Sequence, residues 1–234
     1  MKITYVLPFL CIAIGSPLAV KAEDTGFYLG AGGGESNYSD DIGHQIHSAY
    51  ANYSAYRLDS ATLSDDSSGA YKLFEGYRFT PWLAFELTWT DLGEAKSSYE
   101  LTGLTSQPHI RGRYSLHGAS AALDFRLPIN DHFFISGRAG AFASRLNYKE
   151  SSLIHLENSA GTVSNYHFRA ETENQTEPLL GVSLGWKWDS RWAMRLDWDR
   201  YFRIGTRFDL TADANGRFDH IDQYSIDLIY SFED

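Results

Sequence analysis

From Leu83 to Thr90 the chain alternates between large apolar residues and others: Leu83, Phe85, Leu87 and Trp89 against Ala84, Glu86, Thr88 and Thr90. Successive strand side chains point to opposite faces, so this spacing predicts a strand with one oily and one polar side. The alternation recurs. Phe27, Leu29 and Ala31 share one face of a strand that starts after Gly26. Residues 71–79 set Tyr71, Leu73, Tyr77 and Phe79 against Lys72, Phe74, Gly76 and Arg78. Around 116–127, Ala119, Ala121, Leu123, Phe125 and Leu127 oppose Ser120, Asp124 and Arg126. From 133 to 141, Phe133, Ile135, Ala139 and Ala141 oppose Ser136, Arg138 and Gly140. Leu180, Val182, Leu184 and Trp186 oppose Gly181, Ser183, Gly185 and Lys187, and Trp192, Met194, Leu196 and Trp198 oppose Arg195, Asp197 and Asp199. The last strand sets Tyr224, Ile226, Leu228, Tyr230 and Phe232 against Ser225, Asp227 and Ser231. That makes eight predicted strands, each long enough to cross a bilayer when tilted.

The connections alternate as well. Three are short and carry turn chemistry: Thr80-Pro81, Pro128-Ile129-Asn130-Asp131 and Asp189-Ser190. Four are long and polar, at 37–68, 92–113, 146–176 and 203–219; alternation at Val163, Asn165 and His167 extends strand character into the third. Short turns on one side and long loops on the other are the layout of outer-membrane barrels. An even strand number puts both ends of the barrel on the short-turn, periplasmic side.

The N-terminus fits that compartment. Met1-Lys2 precedes an apolar run from Ile3 to Val20, and Val20-Lys21-Ala22 presents small or aliphatic residues where a signal peptidase reads. Residues 1–22 are predicted to be a signal peptide and 23–234 one domain. The chain's single cysteine, Cys11, lies in the signal, so the mature protein has no disulfide, thiolate nucleophile or cysteine metal site. Removing Lys2 and Lys21 takes the formal charge from −10 to −12, which disfavours nucleic acid as a partner. Mean hydropathy is −0.33, aromatics reach 15 %, and no apolar run after the signal could span a membrane as a helix. A membrane protein of that composition is a β-barrel.

With the apolar faces toward lipid, the opposite parity faces a lumen that eight strands make just wide enough to fill with side chains. Backbone groups in lipid must pair within the protein, so the sheet must close. The inward set holds Lys72, Arg78, Arg126, Arg138, Lys187 and Arg195 against Glu86, Asp124, Asp197, Asp199 and Asp227. Unpaired charges there are costly, which predicts a ladder of ion pairs. Trp82, Phe133, Trp188 and Trp192 lie beside the short turns as a periplasmic aromatic belt; Tyr71 and Trp89 mark the opposite girdle. Glu75 falls on the lipid-facing parity. That requires either a bulge that shifts the parity or a position near the headgroups.

These residues resemble a known family. "GFYLGAGGG" at 26–34, "LFEGYRFTPWLAFELTWTDLGE" at 73–94, "LDFRLPINDHFFISGRAGA" at 123–141, "RWAMRLDWDRY" at 191–201 and "YSIDLIYSF" at 224–232 resemble the OmpA-type transmembrane barrel. Related small barrels of the OmpX/Ail and OmpW kinds share the first and last of these signals. The resemblance implies roles for Glu86 as a buried strand glutamate, Arg138 and Arg195 as lumen arginines, and Asp197 as a strand carboxylate. Asp124 stands where the prototype has a lysine and Gly185 where it has a second glutamate, so another pairing must replace the prototype's, such as Arg138 or Lys187 with Asp124. Tyr230 and Phe232 resemble the C-terminal signal read by the barrel-assembly machinery. The resemblance stops with the barrel, without the family's periplasmic peptidoglycan-binding domain.

No catalytic, cofactor or metal residue is assigned. His117 and Ser120, the nearest approach to a nucleophile and base, point to opposite faces of one strand, and Asp197 and Asp199 are more simply ion-pair partners of Arg195. His44 and His47 with Asp40 and Asp41 lack the local structure of a metal site. The glycines at 30 and 32–34 fail the phosphate-loop pattern at Glu35, with no helix following. The expectation is a monomeric, eight-stranded antiparallel barrel in a Gram-negative outer membrane, surrounded by lipid and lipopolysaccharide, with a structural or surface-contact role and an ion-paired lumen. A narrow porin is the alternative, a lipid A-modifying enzyme the second. Its loops suit contact with extracellular surfaces.

Overall fold

The computed structural model describes residues 25–39, 56–103, 106–158, 161–211 and 214–232. The expected signal peptide, and His44, His47, Asp40 and Asp41, lie outside the described residues.

The polar/apolar alternation becomes eleven strands: β1 (Gly26–Tyr38), β2 (Tyr56–Asp65), β3 (Ser67–Thr80), β4 (Leu83–Gly103), β5 (Ser106–Pro128), β6 (Phe133–Asn158), β7 (Gly161–Lys187), β8 (Trp192–Phe202), β9 (Gly205–Thr211), β10 (Ala214–Arg217) and β11 (His220–Ser231). Eight of them close a barrel in the order β1, β3, β4, β5, β6, β7, β8, β11, every neighbouring pair antiparallel. Closure runs from Tyr28 opposite Ser231 to Tyr38 opposite Ile221. With no free edge inside the membrane, each ladder hydrogen bond finds its partner.

Two of the three short connections are held by the side chains that predicted them. Asn130 Oδ1 accepts from the backbone N–H of His132 (2.9 Å) and Phe133 (2.8 Å), and Asp189 Oδ1 from Arg191 (2.8 Å) and Trp192 (2.6 Å). A short side chain accepting from the backbone two or three residues on reverses the strand without a long loop.

The long connections contain more strand than their polarity suggested. β4 to β7 run 21, 23, 26 and 27 residues, where a tilted crossing needs about ten. Residues 92–103 and 106–113, and most of 146–176, therefore continue as paired strands beyond the membrane. With β2 on the free side of β4, they form a projecting ribbon. Polar alternation without a lipid-facing stripe is harder to tell from a loop, which is why the sequence pattern underreads it.

β4 changes parity on the way out. Trp89 points outward and Leu92 is fully buried; beyond a register shift between Asp91 and Gly93, Ala95 and Ser97 point inward while Lys96 is exposed. Gly93 makes this bulge at φ 74°, and a Cβ there would stand 2.2 Å from Ser68 Oγ and 2.7 Å from the Gly69 carbonyl oxygen. Only glycine takes that conformation at low cost.

Candidate functional site

The outward face carries a continuous apolar belt: Phe27, Leu29, Leu73, Leu87, Leu123, Phe125, Leu184, Leu196, Ile226 and Leu228, among others, are open to the surroundings. A soluble monomer does not expose an apolar surface of this extent, whereas lipid stabilises it. Trp82, Phe133, Trp188 and Trp192 are all exposed near the short turns. Trp188 stacks on Trp192 (6.3 Å, 6°), which meets Tyr230 edge-on at 4.9 Å, and Tyr230 meets Phe232 at 5.0 Å. Trp186, left out of the predicted belt, joins it at 5.8 Å from Trp188. At the other end Tyr71 and Trp89 lie 5.7 Å apart, and the Tyr71 hydroxyl donates to Asp91. Glu75 sits outward between Leu29 and Leu87, with the β1–β3 register unbroken from Gly26 to Asn37. No bulge shifts its parity, and it stands four residues inside Tyr71 within the apolar belt.

Inside, charged side chains from five strands converge. Glu86 on β4 receives Arg138 Nη1 at 2.8 Å, Arg195 Nη1 at 3.0 Å and the Tyr28 hydroxyl at 3.1 Å. Lys72 on β3 reaches across the lumen to Asp197 (2.6 Å), Asp199 (3.0 Å) and Asp227 (3.1 Å) on β8 and β11. Arg138 gives its second nitrogen to Asp197 at 2.6 Å, and Arg195 contacts Asp197 at 2.9 Å and Asp227 at 3.2 Å. None of these seven side chains is more than 3 % exposed. The cluster thus sets three cations against four carboxylates.

Small residues make the space. A Cβ on Gly32 would lie 1.9 Å from Asp227 Oδ1, and one on Gly181 2.2 Å from Asp199 Oδ1. Asp124 faces Arg138 directly in the β5–β6 register, yet Arg138 sends its nitrogens to Glu86 and Asp197. Cα register fixes which backbones are opposite, while a long guanidinium spans the lumen. The remaining members lie toward the periplasmic mouth. Arg126 packs over Phe134 at 3.7 Å and Arg78 over Tyr28 at 5.1 Å, and both gather with Lys187, half-buried, near the Asp189 turn.

Above the charged layer aromatic and aliphatic side chains dominate the lumen, with a few buried polar residues such as Thr90, Ser97 and Gln223 among them. Tyr38, Leu92, Ile110, Tyr114, Leu116, Phe142, Leu146, Tyr148, Tyr201, Ile204, Phe218 and Ile221 pack as one buried cluster. Phe218 and Ile204 come from the connections around the β9–β10 hairpin. The Phe218 N–H donates to the Ile204 carbonyl at 2.8 Å, and its ring meets Tyr38 at 5.1 Å and Tyr114 at 5.4 Å. Burial pushes the Tyr114 phenol up to about 12. Sequence reasoning missed this plug, because Phe218 and Ile204 stand in a polar stretch without periodicity; their size was the only signal.

The enzyme alternative gains no geometry: Ser120 is buried on the lumen side and His117 points outward. Among the described residues no group of His, Cys, Asp and Glu is arranged to hold a metal.

A family described as the OmpA-like transmembrane domain matches residues 21–233. No curated protein matches the sequence. Solved structures similar to this chain include Ail, the attachment invasion locus protein of Yersinia pestis. It is 15 % identical with a TM-score of 0.46, the match covering 88 % of this chain and 99 % of that one. The outer membrane protein OprG of Pseudomonas aeruginosa is 12 % identical (TM-score 0.45; 90 % and 98 % covered). The N-terminal barrel of OprF from the same organism is 10 % identical (TM-score 0.42; 88 % and 98 %).

Proposed function

Because the chain belongs to the OmpA-like transmembrane domain family of Gram-negative outer-membrane barrels, we propose that it is a closed structural barrel that displays a β-ribbon at the cell surface for contact, not a pore. The observation that carries this reading is the double seal: a fully buried layer of ion pairs with an apolar plug stacked on its extracellular side. An ion crossing would have to displace paired charges and then pass a tightly packed, mostly aromatic and aliphatic layer that offers only scattered hydroxyls, such as those of Tyr38 and Tyr201, both already hydrogen-bonded. The charged layer serves as internal scaffold. The extensions of β4 to β7 supply the surface that meets other molecules outside the membrane, as exposed elements on a rigid frame commonly do.

Single-channel recording of the refolded barrel in a planar bilayer tests this, with Arg195→Ala beside it. The natural sequence is expected to be silent. Arg195→Ala is expected to be silent too, because the plug around Phe218 remains. Defined openings in the natural sequence, enlarged by Arg195→Ala, would overturn the proposal and make the lumen charges a gate of a narrow porin.

A further inference from the structure

The projecting ribbon holds an arrangement that its own stability does not explain. Antiparallel register places Lys96 on β4 opposite Arg113 on β5, and Arg113 opposite Lys149 on β6. Three cations thus stand in one row on the outward face, each with a like charge as its direct cross-strand neighbour, a pairing that destabilises a sheet. Their local acids compensate weakly. Asp65 meets Lys96 at 2.9 Å and Glu94 approaches Arg113 at 3.6 Å, both pairs being about half exposed, where ion pairs contribute little. The row, joined by Arg111 and set against a single carboxylate, Glu150, lines a concavity of about 660 Å³ whose edge carries Phe168, 73 % exposed.

We propose that this concavity binds the phosphorylated sugars of the surrounding lipopolysaccharide. The proposal deepens the surface-contact role above by naming a partner for the ribbon, and it rests on the barrel's placement in the outer membrane. Three features point to this ligand. Closely spaced cations fit multiply charged phosphate groups, with Arg113 offering a planar fork and the lysines compact charges. An exposed aromatic ring beside them offers a sugar face a stacking surface. Finally, the face points sideways over the leaflet and not up from the membrane. Arg113 lies six residues beyond Ala119, the register partner of Trp89 in the outer girdle. At strand rise and barrel tilt that is about 15 Å above the girdle. Phospholipid phosphates occupy a layer only about 5–8 Å thick beyond the hydrocarbon, so they fall short of the row. Sugars built up from a lipid anchor reach it.

The test uses the full barrel refolded in phosphatidylcholine vesicles, alone or with increasing lipopolysaccharide, dephosphorylated lipopolysaccharide or phosphatidylglycerol. The readout is the temperature at which the folded electrophoretic band is lost. Lipopolysaccharide is expected to raise that temperature, and neither of the other two lipids to do so. Each cation near an anionic layer contributes roughly a fivefold change in affinity. Lys149→Gln should therefore require about five times more lipopolysaccharide for the same rise, and the combined Lys96→Gln, Arg113→Gln and Lys149→Gln variant about a hundred times more, while Arg113→Lys retains most of the response. In phosphatidylcholine alone Lys149→Gln is expected to be at least as stable as the natural sequence, since one repulsion is gone; that separates a lost site from a failed fold. An equal response in the natural and triple variants overturns the proposal, as does an equal gain from phosphatidylglycerol. Binding of a soluble sulfated polysaccharide without any lipopolysaccharide response would overturn the assigned source. The conductance result leaves every one of these outcomes readable.

Discussion

Replacing Lys72 by methionine removes the cation that holds three carboxylates together. Its ammonium contacts Asp197, Asp199 and Asp227 at 2.6, 3.0 and 3.1 Å, and all four side chains are essentially fully buried. Methionine has similar length, so the cavity penalty is small, and the loss is electrostatic. Four carboxylates then face only Arg138 and Arg195. Removing one partner from a buried ion pair costs about 3–5 kcal/mol, because the uncompensated charge stays out of water. With a urea slope near 2 kcal/mol/M, the unfolding midpoint should fall by about 2 M. The assay is urea unfolding of vesicle-inserted barrel followed by tryptophan emission, apt here because Trp82, Trp89, Trp186, Trp188 and Trp192 all sit on the outer face. Adding Asp199→Asn lowers the acid excess and should recover about 1–3 kcal/mol of the loss through coupling. A Lys72→Met midpoint within about 0.3 M of the natural barrel, or strict additivity of the two substitutions, would refute the claim that this network stabilises the lumen.

Glu75→Leu should stabilise the barrel in vesicles by about 1–2 kcal/mol, since it removes a carboxyl from the apolar belt; an unchanged urea midpoint would count against that placement. Gly93→Ala, forced to φ 74° against Ser68 Oγ, is expected to lose about 1–3 kcal/mol in the same assay. Phe218→Ala empties the centre of the plug and should cost about 3–5 kcal/mol; a change under 1 kcal/mol would mean that the plug does not hold the extracellular end closed. The Tyr114 phenol is raised in the folded barrel above its ordinary value of about 10, so it favours folding below pH 10 and that contribution is lost as pH climbs toward 12. A pH series of urea midpoints should fall across that window, less steeply in Tyr114→Phe.

What the sequence settled by itself is what period-two alternation and turn chemistry carry. Strand side chains alternate regardless of the neighbouring strand. The lipid-facing set from Phe27 to Phe232, the inward parity of Glu86, Arg138 and Arg195, and the turns at Pro81, Asn130 and Asp189 were therefore legible without any contact being known. Every further feature depends on which strand lies across the lumen or beside the ribbon, and at what register. Arg138 sits opposite Asp124 along the sheet but bonds Glu86 and Asp197, because barrel curvature brings non-adjacent strands within reach of a long side chain. Lys72 meets Asp227 for the same reason, 155 positions away in sequence. The apolar plug needed Phe218 and Ile204 to fold inward from a stretch with no period to read. The bulge at Gly93 reversed the parity of β4 beyond the membrane, which turned Lys96 outward into line with Arg113 and Lys149. A slip of one residue would have turned those cations to the other face, and register is a property of the closed sheet rather than of any one strand.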